Sequence, residues 1–551
     1  MKQTTTGTAE RFGLLLLTFF ASLAACGQAL LLLHLRLNRL PLLLAGVVML
    51  LVARKLSRTP LFDLAALTAG LLALGMVCGQ IYDLSWDGQT YHQEAVYQLA
   101  HGWNPVWNAP LPMWHRDIEW INCYPKGNWI IGAILYLSGK QIESAKLLSP
   151  ALMVTAVLLG YAACRALSLK RGMSGLLALL AALCPVAVCQ LGSFYVDGSL
   201  GSLLTLLLSL AVLYVKQPRG RYLLAMIAAM GMLCVVKFTG VVYACVYAFC
   251  LLLFVLLRLR TRLRAVLLTQ TLGIVFGVLF LGFQPYVTNL LSGRHPFHPL
   301  HGKLAAELMS EQLGPAFTAQ PRLLTLTESL FSQSSNDRQW PRWKIPFSVT
   351  KQELKEFVIP DARIGGFGPW FGGTLILSVF AMLAQTLTQL RNPKPPTSRR
   401  EKRQVTSESL RIGCYVLLGL VGSCLINPAA WWARYVPQLW LVPVIVLLLL
   451  RIHHSRFVWP LLIALLGNQV LVIVPSLIER IEEQKLTRAQ LRALQAHPID
   501  VRFHSFYGTR FRLWSGRINY RVTPALHCAE HQFFVRSAAE FCEQTQEPAA
   551  P

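Results

Sequence analysis

IYDLSWDGQTYHQEAVYQLAHGWNP, residues 81–105, is the most informative segment of the sequence. An apolar run ends where it begins, and two carboxylates follow at Asp83 and Asp87. Residues 88–100 then predict an amphipathic helix, because aromatic and apolar side chains recur at four-residue spacing on one face. These side chains are Tyr91, Ala95 and Leu99. Three tryptophans around the helix suit the bilayer interface: Trp86, Trp103 and Trp107.

The composition outside this stretch is that of a membrane protein. The 551-residue chain is 54% hydrophobic and only 14% charged, whereas soluble proteins carry about 25% charged residues. Apolar runs recur from Phe12 to Leu477, and a bilayer core of about 30 Å needs roughly 20 apolar residues per helix. We therefore predict an all-α polytopic membrane protein with about 11–13 transmembrane helices.

The predicted spans divide the chain into three regions. The predicted spans are 12–33, 40–53, 61–81, 144–167, 174–192, 198–215, 221–236, 238–257, 265–283, 370–390, 410–427, 435–450 and 457–477. Residues 1–60 form an N-terminal hairpin, and residues 61–478 form the main bundle, with external loops at about 82–143 and 284–369. Residues 479–551 are predicted to form a small α+β tail, with a β-hairpin over 511–521.

The positive charge orients this bundle. A net charge of +25 can indicate nucleic acid binding, but most of it lies in short loops between apolar runs, which is the pattern of cytoplasmic loops. Arg36 and Arg39 are the main exception and leave the first hairpin in question. We predict a multi-pass protein of the bacterial inner membrane, with membrane lipids and no nucleic acid as partners. Residues 391–403 are predicted to be a cytoplasmic linker, and the large loops and the tail then lie outside the cytoplasm.

Two carboxylates on the predicted outer face are candidate catalytic groups. Asp87 is placed at the membrane boundary, where desolvation raises a carboxylate pKa toward that of a general base. Asp197 begins a predicted helix on the same side. Each aspartate has the alternative interpretation of a helix cap.

Two basic residues are candidate anion ligands. Lys237 lies between two apolar runs, where an ammonium group needs an anionic partner, unless it extends to the interface as a structural residue. Arg434 lies at an outer helix end beside Tyr435, and a guanidinium group suits a phosphate oxygen. Anchoring at the interface beside Trp431 and Trp432 is the alternative for Arg434.

Residues 81–105 resemble the first external loop of GT-C glycosyltransferases, as in protein O-mannosyltransferases and bacterial aminoarabinose transferases. The family pattern is an acidic pair followed by conserved residue types that match Asp87, Tyr91, Ala95, Leu99, Gly102 and Pro105. This chain has Gly88 where the second acid of the pair is expected, which leaves Asp87 as the single candidate in that loop. Residues 124–137, YPKGNWIIGAILYL, are similar to the second juxtamembrane helix of the family.

The resemblance implies an inverting transferase that moves a sugar from a polyprenyl-phosphate donor to an extracytoplasmic hydroxyl. It implies Asp87 as general base, Asp197 as a second acidic residue, and Lys237, Arg434 and Tyr435 as ligands of the donor phosphate. The acceptor and donor pocket would include Tyr91, His92, Tyr124 and Lys126. The acceptor is a glycan, a lipid or a protein. The sequence has no Walker or GxGxxG loop, which agrees with a lipid-linked donor.

Other functions and ligands remain open from sequence alone. The same charges suit a transporter or flippase of lipid-linked saccharides, and a non-catalytic scaffold is a third alternative. No cofactor is predicted, although a divalent cation is left open, and no metal site is assigned. His295, His298 and His301 are regularly spaced, but the prolines between them prevent a regular helix. Cys528 and Cys542 could form a disulfide if the tail is extracytoplasmic, but the sequence leaves the pairing open.

Overall fold

The structure is a computed structural model that describes residues 7–113, 117–302, 317, 319–336, 341–357, 359–361, 363–391, 400–528 and 530–543. The side chains of residues 389–411 lie outside this description. Most of the predicted linker at 391–403 is therefore not described, and a helix begins at Arg400 inside it.

The described chain is built mainly of α-helices. In chain order they are α1 (Thr8–Leu32), α2 (Leu40–Leu56), α3 (Pro60–Gly79), α4 (Gln93–Ala100), α5 (Ile118–Cys123), α6 (Gly127–Gly139), α7 (Leu148–Ala166), α8 (Arg171–Ala182), α9 (Pro185–Cys189), α10 (Asp197–Lys216), α11 (Gly220–Val236), α12 (Phe238–Arg258), α13 (Leu263–Val275), α14 (Thr288–Leu291), α15 (Arg322–Leu330), α16 (Lys351–Glu356), α17 (Phe371–Arg391), α18 (Arg400–Ile426), α19 (Leu441–Ile452), α20 (Val458–Ala493) and α21 (Thr509–Ser515).

Shorter helical turns and four strands complete the described elements. The π-helical turns are Gly88–His92, Phe276–Leu281 and Phe283–Val287, and the 3-10 turns are Ile142–Leu147, Arg260–Arg262, Ala433–Tyr435 and Pro437–Trp440. The strands are β1 (Ile499–Arg502), β2 (Tyr520–Val522), β3 (Gln532–Phe533) and β4 (Glu540–Glu543).

The expected fold class is confirmed. Within the described ranges, eight helices are long and apolar enough to cross a membrane, and four shorter apolar helices accompany them. Burial separates the central helices from the peripheral ones. The α10 span is 72% buried and packs on α7 and α11, whereas the α3 span is 17% buried and presents its apolar side chains outward.

Helices α1 and α2 pack against each other, and the basic loop between them lies against the large loop at residues 82–143. The indole Nε1 of Trp107 donates to the carbonyl of Leu31 at 3.0 Å, and its ring stacks on His34 at 4.2 Å. The guanidinium of Arg39 donates to the carbonyl of Leu137 at 3.0 Å. Packing between the two loops holds this segment in place. Arg36 and Arg39 therefore remain an exception to the rule that basic residues collect in cytoplasmic loops.

Two local predictions are wrong. The span 174–192 is broken, because α8 ends at Ala182 and Pro185 begins a separate short helix; proline lacks an N–H and disfavours helical geometry in the residue before it. The β-hairpin over 511–521 is replaced by α21 followed by β2. Phe511 and Leu513 are both buried there, so their alternation reflects one packed helical turn and not a strand.

The end of the chain forms a C-terminal unit, which we define as residues 479–528 and 530–543. Helix α20 runs without a break from the membrane bundle into this unit. Its sheet has the order β2-β1-β4-β3, with β1 parallel to β2 and antiparallel to β4. A disulfide joins Cys528 to Cys542 across a sequence separation of 14 residues.

Removing this disulfide should destabilise the C-terminal unit. A cross-link that closes a loop of about 15 residues contributes roughly 3 kcal/mol, mainly by restricting the unfolded chain. In the Cys528→Ser/Cys542→Ser protein we expect proteolytic cleavage within the unit to accelerate about 100-fold under native conditions. Cys414→Ser, which replaces an exposed free cysteine in α18, is the control and should behave as the unmodified protein does. Equal cleavage rates in all three proteins would contradict the expectation.

Candidate active site

A cavity of about 1070 Å³ lies at the end of the bundle that carries the external loops. Its walls come from both external loops, the starts of α10 and α12, the connection between α18 and α19, and the C-terminal unit. Eight of the predicted site residues line it: Asp87, Tyr91, His92, Tyr124, Asp197, Lys237, Arg434 and Tyr435.

Asp87 faces this cavity and does not cap the helix that follows it. Among the described residues its side chain makes no capping hydrogen bond. The backbone N–H of Gly88 donates instead to the hydroxyl of Ser85 at 3.2 Å. Oδ2 of Asp87 accepts a hydrogen bond from Nη1 of Arg434 at 2.9 Å. The sequence placed these two residues on one side of the membrane, and the structure brings them into contact.

Arg434 is held between two carboxylates and several aromatic rings. Its Nε lies 3.0 Å from Oδ1 of Asp361, on the side opposite its contact with Asp87. The guanidinium carbon lies 4.5 Å from the ring centre of Trp432 and 5.1 Å from that of Tyr435. A guanidinium group held between two carboxylates and several rings is oriented before any ligand arrives.

Lys237 and Asp197 form a second buried ion pair in the cavity wall. Nζ of Lys237 lies 2.6 Å from Oδ1 of Asp197 and 3.8 Å from the ring centre of Tyr435. Lys237 occupies this position because α11 ends at Val236 and the backbone is extended at Lys237 before α12 begins. The amide side chain of Gln190 donates to the other carboxylate oxygen of Asp197 at 3.0 Å and accepts from the N–H of Gly198 at 2.8 Å. Gln190 therefore supplies the cap that the sequence alternative assigned to Asp197.

Asp361 is a cavity residue that the sequence analysis missed. It comes from the second external loop, accepts a hydrogen bond from the indole of Trp432 at 2.8 Å, and has Arg363 at 3.9 Å. Burial raises the pKa of Asp361 to about 6, despite the opposing effect of Arg434. The only sequence signal is an acid two residues before an arginine, in a loop that leads to Gly365 and Gly366, and this pattern is too common to single out.

The protonation of Asp87 differs from the expectation. Burial acts to raise the pKa of this carboxyl group, but the charge of Arg434 and the hydrogen bond from Arg434 outweigh it, so the pKa is lowered. The predicted increase from desolvation alone is therefore wrong. Asp87 is a carboxylate at neutral pH and a weak base while Arg434 is bound to it.

His92 presents a neutral imidazole to the cavity. Its Nδ1 lies 2.7 Å from the indole nitrogen of Trp129, which can only donate, so Nδ1 accepts. Burial lowers the pKa of His92 to about 4. The single ring proton is therefore on Nε2, which makes this nitrogen a hydrogen-bond donor. Tyr91 and Tyr124 flank the imidazole, with ring centres 4.3 and 6.2 Å from it.

Lys126 is not brought to the cavity, which corrects its predicted place in the substrate pocket. The side chain is fully buried, and its Nζ donates to the carbonyls of Tyr124 and Asn122. The rings of Trp103 and Trp129 lie within 6 Å of the ammonium. Burial lowers the pKa of Lys126 to about 7. Its contacts tie together the turn between α5 and α6.

The regularly spaced histidines do not form a common site. His295 and His301 contact each other, whereas His298 lies 3.0 Å from a carboxylate oxygen of Glu119. Glu119, Cys123 and His298 bring their ligand-type atoms within 4.8 Å of one another. Burial raises the pKa of the Cys123 thiol to about 12, which opposes the thiolate form that metal ions need.

The described residues form a polytopic helical bundle with two acid–cation pairs in a cavity at one end. Residues 124–282 match a family model described as dolichyl-phosphate-mannose-protein mannosyltransferase. The match, which covers less than a third of the chain, supports the resemblance to GT-C membrane glycosyltransferases. It contains Asp197 and Lys237, whereas Asp87, Asp361 and Arg434 lie outside it. No curated protein and no solved structure matches the chain.

Proposed function

We propose that the protein transfers one sugar from a polyprenyl-phosphate donor to an acceptor hydroxyl outside the cytoplasm. One observation carries the proposal: the carboxylate of Asp87 shares a single cavity with the buried cations Lys237 and Arg434. A transferase of this kind needs a base for the incoming hydroxyl and positive charge for the departing phosphate, and both are present.

The donor would enter along the wall next to α12. This wall is apolar, and its members are Phe238, Val242, Phe297 and Leu300. Lys237 lies directly before Phe238, so a phosphate attached to a lipid in this wall would meet the ammonium group first. In the low dielectric of the cavity, the attraction between the cations and the leaving phosphate is stronger than it is in water.

Donor binding would also activate the base. In the structure Arg434 bridges Asp87 and Asp361. A phosphate that takes the place of Asp87 at Arg434 would release the carboxylate and remove the main charge that lowers its pKa. Asp87 would then orient the acceptor hydroxyl and take its proton late, as the new bond forms. Attack from the face opposite the phosphate would invert the anomeric carbon.

We place the cavity on the periplasmic side of a bacterial inner membrane. Most of the basic loops lie at the other end of the bundle, for example between α12 and α13, which agrees with a cytoplasmic location for them. The disulfide in the C-terminal unit supports an oxidising compartment on the cavity side.

The test is direct transfer by the purified protein. The protein in lipid nanodiscs is incubated with radiolabelled polyprenyl-phosphate hexoses and with panels of saccharide, lipid and peptide acceptors. We expect a new glycosidic bond in at least one acceptor, with inversion. A flippase or transporter of the donor would form none, and movement of intact donor across the bilayer without transfer would overturn the proposal.

The affinity for the donor should depend on pH through Asp361. This acid lies beside Arg434, and its pKa of about 6 means that it is charged at pH 7 and neutral at pH 5. Because a neighbouring negative charge opposes phosphate binding, we expect the KM for donor to fall as the pH falls from 7 to 5. Asp361→Asn should lower the KM at pH 7 roughly tenfold and leave only the weaker pH dependence of Asp83, a second cavity acid whose pKa burial raises to about 6.

Initial rates against donor concentration at pH 5, 6 and 7 measure this effect. Asp500→Asn, which removes an acid paired with Arg521 in the C-terminal unit, should retain the dependence of the unmodified protein. If Asp361→Asn keeps that dependence too, the titrating group lies elsewhere.

A further inference from the structure

One wall of the cavity has no part in the mechanism above. It is formed by the C-terminal unit together with the residue before Asp87, and we call it the outer wall. Its members are Trp86, Glu483, Phe506, Phe533, Arg536 and Ser537. The cavity volume of about 1070 Å³ lies at the upper end of the ~300–1,000 Å³ that pockets for single small ligands occupy. There is room for an acceptor beside the donor.

The aromatic side chains of the outer wall are exposed in a concave, water-facing position. Trp86 and Phe533 are each 56% exposed, although neither belongs to a membrane-spanning helix. Phe506 is buried and supports Trp86 edge-on, with ring centres 4.7 Å apart. Large exposed aromatic residues in a cavity with polar neighbours mark a binding surface. Their electron-rich faces suit the weakly positive C–H groups of a sugar ring.

Arg536 provides the polar part of this wall, and its backbone is strained. Its φ of 50° lies in the left-handed region, which costs a residue with a Cβ about 1 kcal/mol. Its carbonyl accepts from the side-chain amide of Gln89 at 2.9 Å, and its Nε lies 2.5 Å from a carboxylate oxygen of Glu483. The side chain is 44% exposed. The fork of Arg536 and the carboxylate of Glu483 offer adjacent donors and acceptors, which match vicinal hydroxyl groups.

An extended peptide fits the outer wall less well. Peptides often bind by adding a strand to the edge of a sheet, and β3 is the edge strand nearest the cavity. That edge is occupied, because Gln490 donates to the carbonyl of Phe533 at 2.9 Å and accepts from the N–H of Val535 at 3.1 Å. Side chains, not backbone groups, are thus what the outer wall presents.

We infer that the outer wall is an acceptor subsite for a saccharide; the inference rests on the proposed function and names its acceptor class. Trp86 and Phe533 contact the C–H faces of the sugar, and Arg536 with Glu483 binds its hydroxyl groups. One hydroxyl then reaches Asp87, which takes its proton. The acceptor oxygen forms the bond to the anomeric carbon as the bond from that carbon to the phosphate oxygen breaks, and the phosphate leaves with the electron pair.

The experiment uses the full-length protein in nanodiscs and a polyprenyl-phosphate hexose donor. The acceptors are a panel of soluble di- and trisaccharides and a panel of Ser/Thr peptides, and a reaction without acceptor measures hydrolysis of the donor by water. We expect transfer to saccharides and not to peptides. Phe533→Ala and Arg536→Asn, the latter tolerant of left-handed backbone, should raise the acceptor KM about tenfold or more, which corresponds to roughly 1.4 kcal/mol. The donor KM and the hydrolysis rate should be unchanged.

Two matched controls come from the same unit. Trp514→Ala removes an exposed aromatic side chain, and Arg521→Asn removes an exposed arginine; neither residue lines the cavity. Both should leave the acceptor KM unchanged. Transfer to peptides alone, hydrolysis without transfer to any saccharide, or an unchanged acceptor KM in both test variants would overturn the inference while leaving the proposed function in place. If the unmodified protein neither transfers nor hydrolyses the donor, the proposed function itself is wrong, and the inference is rejected with it.

Discussion

Asp87→Asn is expected to reduce sugar transfer by about 10²–10⁴-fold, the range that a positioned general base contributes, with little change in fold. Asparagine has nearly the same shape and can still accept a hydrogen bond from Arg434, which also keeps its contact with Asp361. What is lost is the ability to take the proton of the acceptor hydroxyl. The KM for donor should fall, because the donor phosphate no longer displaces a charged carboxylate from Arg434, whereas kcat carries the loss.

Transfer rates at saturating donor measure this effect, with thermal unfolding as the check on folding. Asp83→Asn is the matched control. Asp83 lines the same cavity, but its oxygens accept from the backbone N–H groups of Ser85 and Phe194. Burial raises the pKa of Asp83 to about 6. Asparagine keeps one of these two acceptors and turns the other into an NH2 group that faces a backbone N–H, so we expect a loss of about 1–3 kcal/mol of stability while the transfer rate of the folded protein stays within about tenfold. Full activity in Asp87→Asn would eliminate Asp87 as the base.

Lys237→Met is expected to have the second large effect, a loss of about 10²–10³-fold in kcat. This is the range found when a preorganised donor to a developing anion is removed. The same change leaves Asp197 buried without its cation, which costs roughly 3–5 kcal/mol of stability. A single variant thus confounds loss of catalysis with loss of folding.

The double variant Lys237→Met/Asp197→Asn separates the two effects. It removes the unpaired charge and should regain most of the lost stability, since the two residues form one buried pair. Its transfer rate should remain low. Recovery of the rate together with the stability would mean that Lys237 has a structural role and that another cation receives the phosphate.

The sequence predicts which residues share a face of the membrane, but not how they pair. Apolar periodicity and the distribution of basic loops were enough to place Asp87, Asp197, Lys237 and Arg434 at one end of the bundle. The contacts Asp87–Arg434 and Lys237–Asp197 depend on how distant helices pack, which no local pattern encodes.

The wrong predictions for Lys126 and residues 511–521 and the missed Asp361 have one cause: tertiary contacts that no local pattern of sequence encodes. Lys126 was assigned to the pocket by its place in a motif, yet nearby carbonyls and two tryptophans turn it into the protein interior. The alternation of apolar and polar residues over 511–521 is compatible with a strand or with one turn of helix. Packing within the C-terminal unit favours the helix, in which Phe511 and Leu513 are both buried. Asp361 was missed because its partner Arg434 is contributed by a different loop, far along the chain.

The glycine that follows Asp87 limits how this site can change. A Cβ at position 88 would lie 1.9 Å from Oδ2 of Asp83 and 2.6 Å from the hydroxyl of Ser85. The carboxyl group of Asp83 thus fills the space that a second acid after Asp87 would need. Positions 83 and 88 can therefore vary only together: a glutamate at 88 requires a smaller residue at 83. In relatives with an acidic pair, position 83 should therefore be small.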